Sequence, residues 1–397
     1  MKFTKKVLDN GLTILHERRE VPVTTVMLAV KHGGANEKEE EKGMSHYMEH
    51  LCFKGTKKRP LKEEIAGEIE KRGGIINAFT TEEATAYFTK LPSEHLEIAM
   101  DVIFDIFFNP TFPEEEIERE GNVIIEEMKM IEDNPARYIH DKLQESLYEP
   151  PFGMGIIGTR KGIKSMTREQ LLKKHRKTYF PANSILVVVG NNNFSDVLEL
   201  AKKFVVERNG EADPVPEIKL KNEDGYLKRK DNNQTNIVLG VHFPKGSEKE
   251  RYAAELFSAI LGKGMSSKLF LEVREKRGLV YTIKSDIDLK KRFGYFVIYA
   301  GTDPSKSDEV IKVCKEEFAK MKKITQKELD EAKVQLIGNR HIASEGCDEV
   351  AVELLFEEII GDAKDYYDYE KRINAVILED IKELAKKEDF STFIIGP

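Results

Sequence analysis

Short runs rich in β-branched and apolar residues alternate along this chain with longer stretches in which apolar positions return every three or four residues. The runs at 12–16 and 23–31, the second reading Val23-Thr24-Thr25-Val26-Met27-Leu28-Ala29-Val30, predict the first pair of strands in a sheet. From Pro60 to Lys71 the spacing is that of an amphipathic helix, closed by Gly73-Gly74. Residues 75–80 and 84–91 predict two more strands around a short acidic turn. Ser93 offers an N-cap for a helix running to about Phe108, and Pro110 and Pro113 punctuate the chain beyond it. Glu114 to Asp133 is a further long helix, and Ser184-Ile185-Leu186-Val187-Val188-Val189 a strong strand.

The same rhythm then starts again. Asn236 to His242 (NIVLGVH) lines up with Thr25 to Lys31 (TVMLAVK), and each is followed by a long helix and a strand pair. Pro304-Ser305 opens a helix as Pro92-Ser93 does, and Gln326 to Arg340 takes the place of Glu114 to Lys129. A chain of 397 residues is long enough for two domains. A divergent duplication therefore divides it into domains at 1–208 and 223–397, with the polar, Pro-containing stretch 209–222 as linker.

Composition narrows the function class. Hydrophobic residues at 40% and charged residues at 34% describe a soluble globular protein. The net charge of −7 gives no electrostatic case for nucleic acid or an anionic membrane. No apolar run approaches the ~20 residues of a membrane span, and the start lacks the apolar core of a signal peptide. Cys52, Cys314 and Cys347 are odd in number and far apart, so they signal neither a disulfide framework nor a cysteine metal site. A reducing compartment, the cytoplasm, is the expected location.

One segment carries a metal-binding spacing: His46-Tyr47-Met48-Glu49-His50. Residues four apart stand one above the other on a helix, so both imidazoles can donate to one tetrahedral ion, Zn²⁺ being the best match. Glu49 leans the same way, and a carboxylate beside such an ion is what hydrolysis needs to take a proton from water and return it to the leaving group. Two histidines on a helix can also be plain surface residues. The apolar flank of Met44, Tyr47, Met48, Leu51 and Phe53 argues for a half-buried helix, where imidazoles need a partner. In the helix 114–133, Glu127 is flanked by Val123, Ile124 and Ile131 and is the expected third ligand. Glu120, seven residues back on the same side, is expected to orient the site. His140 and His175 read as ordinary structural or surface histidines. In the second half, Arg274 and Arg277 read by spacing as helix-end cations before Gly278, and Tyr281 as a packed strand aromatic.

Taken together, these segments resemble the M16 (pitrilysin-type, inverzincin) zinc metallopeptidases, in particular the two-domain chains related to the mitochondrial processing peptidase β subunit. The similarity runs through LDNGLTI, GMSHYMEHLCFKGT, INAFTTEEATAY, EREGNVIIEEMKMIEDNP and LGKGMSSKLFLEVREKRGLVY, nearly the whole chain. It implies an α+β fold of two homologous domains, each a mostly antiparallel sheet with helices packed on one face. It implies one Zn²⁺ per chain on His46, His50 and Glu127, with Glu49 as general base and Glu120 as the acidic residue beside the site. It implies that Asn77, Ala78 and Phe79 lie on an edge strand that pairs with extended peptide substrates, and that Arg274 and Tyr281 contact substrate near the metal. The activity implied is endopeptidase cleavage of short or unfolded peptides in a chamber formed by two subunits, most simply a homodimer. The alternatives are a zinc-bearing subunit of a heterodimeric peptidase and a non-catalytic assembly subunit of the same fold.

Overall fold

The computed structural model describes residues 2–212, 214–230 and 232–397. Two compact units emerge. The first joins residues up to Met128 with Gly155–Glu217 and Ala343–Lys364; the second joins Lys129–Met154, Ile218–Ile342 and Asp365–Pro397.

The first unit is built on six strands: β1 (Lys2–Val7), β2 (Thr13–Arg18), β3 (Val23–Val30), β4 (Ile75–Thr80), β5 (Thr85–Pro92) and β6 (Ser184–Gly190), in the order β1-β2-β6-β3-β5-β4. Only β2 and β6 run parallel; the other pairs are antiparallel. The strands at 12–16 and 23–31 do share this sheet, but β6 lies between them rather than the two pairing directly. Helices α1 (Met44–Cys52), α2 (Lys62–Glu70), α3 (Leu96–Phe108) and α4 (Glu114–Glu132) belong to this unit, α4 continuing past its end. α3 packs on β3 and β5, and Val26, Leu28, Val30, Leu186 and Val188 join its core.

The second unit repeats the plan with β7 (Gly225–Lys228), β8 (Thr235–His242), β9 (Val280–Leu289), β10 (Gly294–Thr302) and β11 (Ser391–Gly396), ordered β7-β11-β8-β10-β9. The order matches β2-β6-β3-β5-β4 strand for strand, with the parallel pair (β7 with β11) in the same place. The apolar rhythm marks β8, β9 and β10, whereas the short terminal strands β7 and β11 carry no comparable signal.

The units do not coincide with the sequence halves 1–208 and 223–397. The helix α5 (Pro135–Leu147), from the first half, packs on β8 and β11 of the second unit. The helix Cys347–Ile360, from the second half, packs on β3 and β6 of the first. The cause is burial on both faces. Thr25, Met27 and Ala29 are as fully buried as Val26, Leu28 and Val30, so the side of the sheet away from α3 also needs a cover. Lys90–Asp348 at 2.6 Å and the Phe79–Phe356 ring contact fix the helix Cys347–Ile360 on that side. Helices therefore line chiefly one face of each sheet, and a single helix covers part of the other. Within the stretch expected as linker, Glu217 and Ile218 mark the change of unit, and Asp213 lies outside the described residues.

Candidate functional site

α1 starts where the chain turns through Gly43, whose φ of 92° is left-handed; a Cβ there would lie 2.2 Å from the Ile157 carbonyl oxygen. The first free N–H groups of the helix are met by a buried carboxylate. Glu37 accepts from the Gly43 and Ser45 amides at 3.0 and 2.5 Å. Burial pushes the Glu37 carboxyl up to about 7, against the opposing pull of Lys42 and these amides. α1 is set against α4 by Tyr47, whose hydroxyl donates to the Ile117 carbonyl. That ring passes over Gly121, where a Cβ would come within 2.9 Å of the hydroxyl.

This packing fixes how α4 presents its carboxylates. His46 and His50 stand edge to face with ring centroids 4.7 Å apart. Glu127 Oε2 lies 3.6 Å from His46 Nε2 and 3.7 Å from His50 Nε2, and one donor atom from each of the three residues falls within 4.8 Å of the others. A tetrahedral ion with metal–ligand bonds of ~2.0–2.1 Å spaces its ligands by about 3.4 Å, so this donor set fits Zn²⁺ in size and in chemistry. The protonation state of His46 fits as well. Burial, reinforced by His50, lowers His46 to about 4, leaving the neutral imidazole that a metal requires. Glu120 Oε2 lies 3.3 Å from His50 Nδ1, which leaves Nε2 facing Glu127.

Three features around this set are not marked by any motif or spacing in the sequence. Lys54 pairs with Glu120 Oε1 at 2.7 Å. Burial alone would raise the Glu120 carboxyl; the His50 hydrogen bond and Lys54 outweigh it and hold it below the usual carboxylate range. Lys54 stands beyond the last residue of α1, Cys52, so the helical spacing that singles out the histidines does not reach it. Thr80, at the end of β4, donates its hydroxyl to Glu49 Oε2. Burial raises the Glu49 carboxyl and the Thr80 bond opposes that rise. Thr80 and Glu37 are remote in sequence from the helix they serve, and no local pattern announces them.

The other expected residues are spread over both units. Asn77, Ala78 and Phe79 lie on β4, the edge strand, hydrogen-bonded on one side only, to β5. The Ala78 N–H is exposed and donates to Asn77 Oδ1 at 2.8 Å. Val123 is 45% exposed, so the apolar flank argued for Glu127 rests on Ile124 alone among its preceding neighbours. Arg274 and Tyr281 belong to the second unit. Arg274 is exposed, over the Phe270 ring at 4.8 Å. Tyr281 is 59% exposed on β9, so it is not the packed aromatic that its strand position alone suggests. β9 holds the edge position in its sheet that β4 holds in the other. Cys52, Cys314 and Cys347 are free and buried, and His175 is a core residue whose ring bonds the Phe107 carbonyl. No helix among the described residues is long and apolar enough to cross a membrane.

Comparison with known proteins shows the family and the fold. Residues 13–160, which hold His46, Glu49, His50 and Glu127, match the family described as insulinase (peptidase family M16). Residues 165–336, which hold Arg274 and Tyr281, match the peptidase M16 inactive domain. An "uncharacterized zinc protease" of Rickettsia felis is 36% identical over 86% of this chain and 84% of its own. An "uncharacterized zinc protease YmxG" of Bacillus subtilis is 31% identical over 98% of this chain and 97% of its own. Among solved structures, a protease from Helicobacter pylori superposes with a TM-score of 0.91 at 25% identity, covering 100% of this chain and 99% of that one. A peptidase M16 inactive domain from Pseudomonas fluorescens shares the fold, with a TM-score of 0.90 at 22% identity and coverage of 100% and 98%.

Proposed function

The chain belongs to peptidase family M16, and from that membership we propose that it is a zinc-dependent endopeptidase cleaving short or unfolded peptides, with Glu49 as general base. The observation that carries this reading is the convergence of His46 Nε2, His50 Nε2 and Glu127 Oε2 beside Glu49, one residue from His50 on the same helix. Zn²⁺ bound there would polarise the scissile carbonyl and acidify water.

The chain's own groups do the rest. Glu49 takes the proton of the attacking water at its carboxylate and returns it to the leaving amine. Glu120 holds His50 by its Nδ1 and, through Lys54, keeps its own negative charge. The free edge of β4 binds the peptide backbone as an added strand, so recognition is of extended, unfolded chain. Arg274 and Tyr281, both exposed, contact the substrate carbonyl where negative charge develops, the pair of one subunit completing the zinc site of the other. Two copies enclose the chamber as a homodimer, a reading supported by the presence in one chain of both the zinc motif and the Arg274/Tyr281 pair.

The test is metal content and cleavage of a quenched mixed-peptide library by wild type, His50→Ala and Glu49→Gln. One zinc per chain with cleavage is expected for wild type, neither for His50→Ala, and zinc with almost no cleavage for Glu49→Gln. A Glu49→Gln protein that still cleaves would refute the base assignment. Zinc without cleavage in the wild type would favour the heterodimer, and neither zinc nor cleavage the assembly subunit.

A further inference from the structure

Glu49 is held in place by an element other than its own helix, and we propose that Thr80 is its positioning residue, tying the general base to the strand that receives the peptide. The inference rests on the peptidase reading above. Thr80 closes β4, pairs with Thr85 of β5 and donates its hydroxyl to Glu49 Oε2. Its Oγ1 also lies 3.4 Å from Thr85 Oγ1. Thr85 is fully buried, and its own hydroxyl donates to the His32 carbonyl at 3.0 Å.

A hydroxyl has one hydrogen to give. With that of Thr85 committed to His32, Thr85 can only accept from Thr80, so the single Thr80 hydrogen has two acceptors: Glu49 and Thr85. While Glu49 is a carboxylate, the charge-assisted bond is the stronger and holds the hydrogen. The carboxylate is thereby held from a strand whose own end is anchored through the buried Thr85. β4 thereby does two things: its free edge aligns the peptide, and its last side chain aligns the group that acts on it.

The test compares wild type, Thr80→Val, Thr80→Ser and Glu49→Gln as full chains, reading zinc content, thermal midpoint, and kcat and KM on one fluorogenic peptide selected from a mixed library. Thr80→Val is expected to hold one zinc, keep its thermal midpoint and KM, and lose about 10- to 100-fold in kcat, the usual effect of removing an orienting partner. Thr80→Ser, which keeps the hydroxyl, is expected to recover most of kcat. Wild-type kcat in Thr80→Val beside an inactive Glu49→Gln would overturn the inference while leaving the peptidase reading intact. So would equal losses in the Val and Ser variants, or a kcat loss that tracks lost zinc. An active Glu49→Gln would instead remove the base assignment on which the inference stands.

Discussion

The ammonium of Lys54 lies 2.7 Å from Oε1 of Glu120, a carboxylate only 3% exposed whose other oxygen holds His50. The pair is a relay of charge: a cation fixes the carboxylate, and the carboxylate fixes the imidazole that faces Glu127. Glu120→Gln should therefore weaken zinc retention by about 10- to 100-fold. Lys54→Met should weaken it in the same direction by less, and Lys54→Arg should stay near wild type. Competition against a chromophoric zinc chelator measures all three, and wild-type affinity in Lys54→Met would show that Glu120 needs no cation.

The exposed Ala78 N–H gives a direct test of strand addition. Its present partner is the neighbouring Asn77 side chain, so a peptide laid along β4 must displace that oxygen and take the amide itself. Ala78→Pro removes this donor, and proline is tolerated on an edge strand. We expect unchanged zinc content and a fall of about 10-fold in kcat/KM, the value of one backbone hydrogen bond. Unaltered cleavage would mean that the peptide does not pair at this position.

The features legible in the residues alone are those of short-range geometry. His46 and His50 are four apart on one helix, and the M16 resemblance together with the face of α4 singles out Glu127. Strand pairing is less legible. That β6 inserts between β2 and β3 is not readable, because a parallel pairing of segments some 170 residues apart leaves no local trace. The helix exchange escapes the two-halves reading, although its cause lies in the chain. Val26 to Val30 and Ile185 to Val189 are apolar at every position rather than alternate ones, the mark of strands covered on both faces. Thr80, Glu37 and Lys54 stay hidden for a plainer reason: each is an ordinary polar residue until the fold brings a partner to it.

The loop that leaves α1 is tied to α3 by buried charge. Arg59 reaches Asp105 at 2.7 Å and Asp101 at 2.5 Å, and the Thr56 hydroxyl also bonds Asp105. Removing one carboxylate leaves Arg59 the other, so Asp105→Ala should cost about 1.5–3 kcal/mol, the range for hydrogen bonds to charged groups. Removing both strands a guanidinium in a site where its side chain is 8% exposed. The Asp101→Ala/Asp105→Ala protein should therefore lose more than the sum of the single variants. Urea unfolding of the four proteins measures this, and strict additivity would show that the two carboxylates act independently.

Acid should act on the first unit through His175. The ring is fully buried, bonds the Phe107 carbonyl at 2.9 Å and stacks on Tyr179 at 4.2 Å. Burial lowers its pKa to about 3, against a partial rescue by that hydrogen bond. The native state keeps the ring neutral while the unfolded chain takes up a proton below about 6.5. The stability contributed by the neutral ring is thus present above pH 6.5 and is lost as pH falls toward 3, at about 1.4 kcal/mol per pH unit. His175→Gln does not titrate and can still donate to Phe107. It should be the less stable protein at pH 7, having lost the aromatic stack, but its deficit should narrow by about 2 kcal/mol between pH 7 and pH 5. Urea midpoints at the two pH values, with EDTA present so that metal binding adds no pH dependence of its own, decide the matter. A deficit of equal size at both would place the acid sensitivity elsewhere.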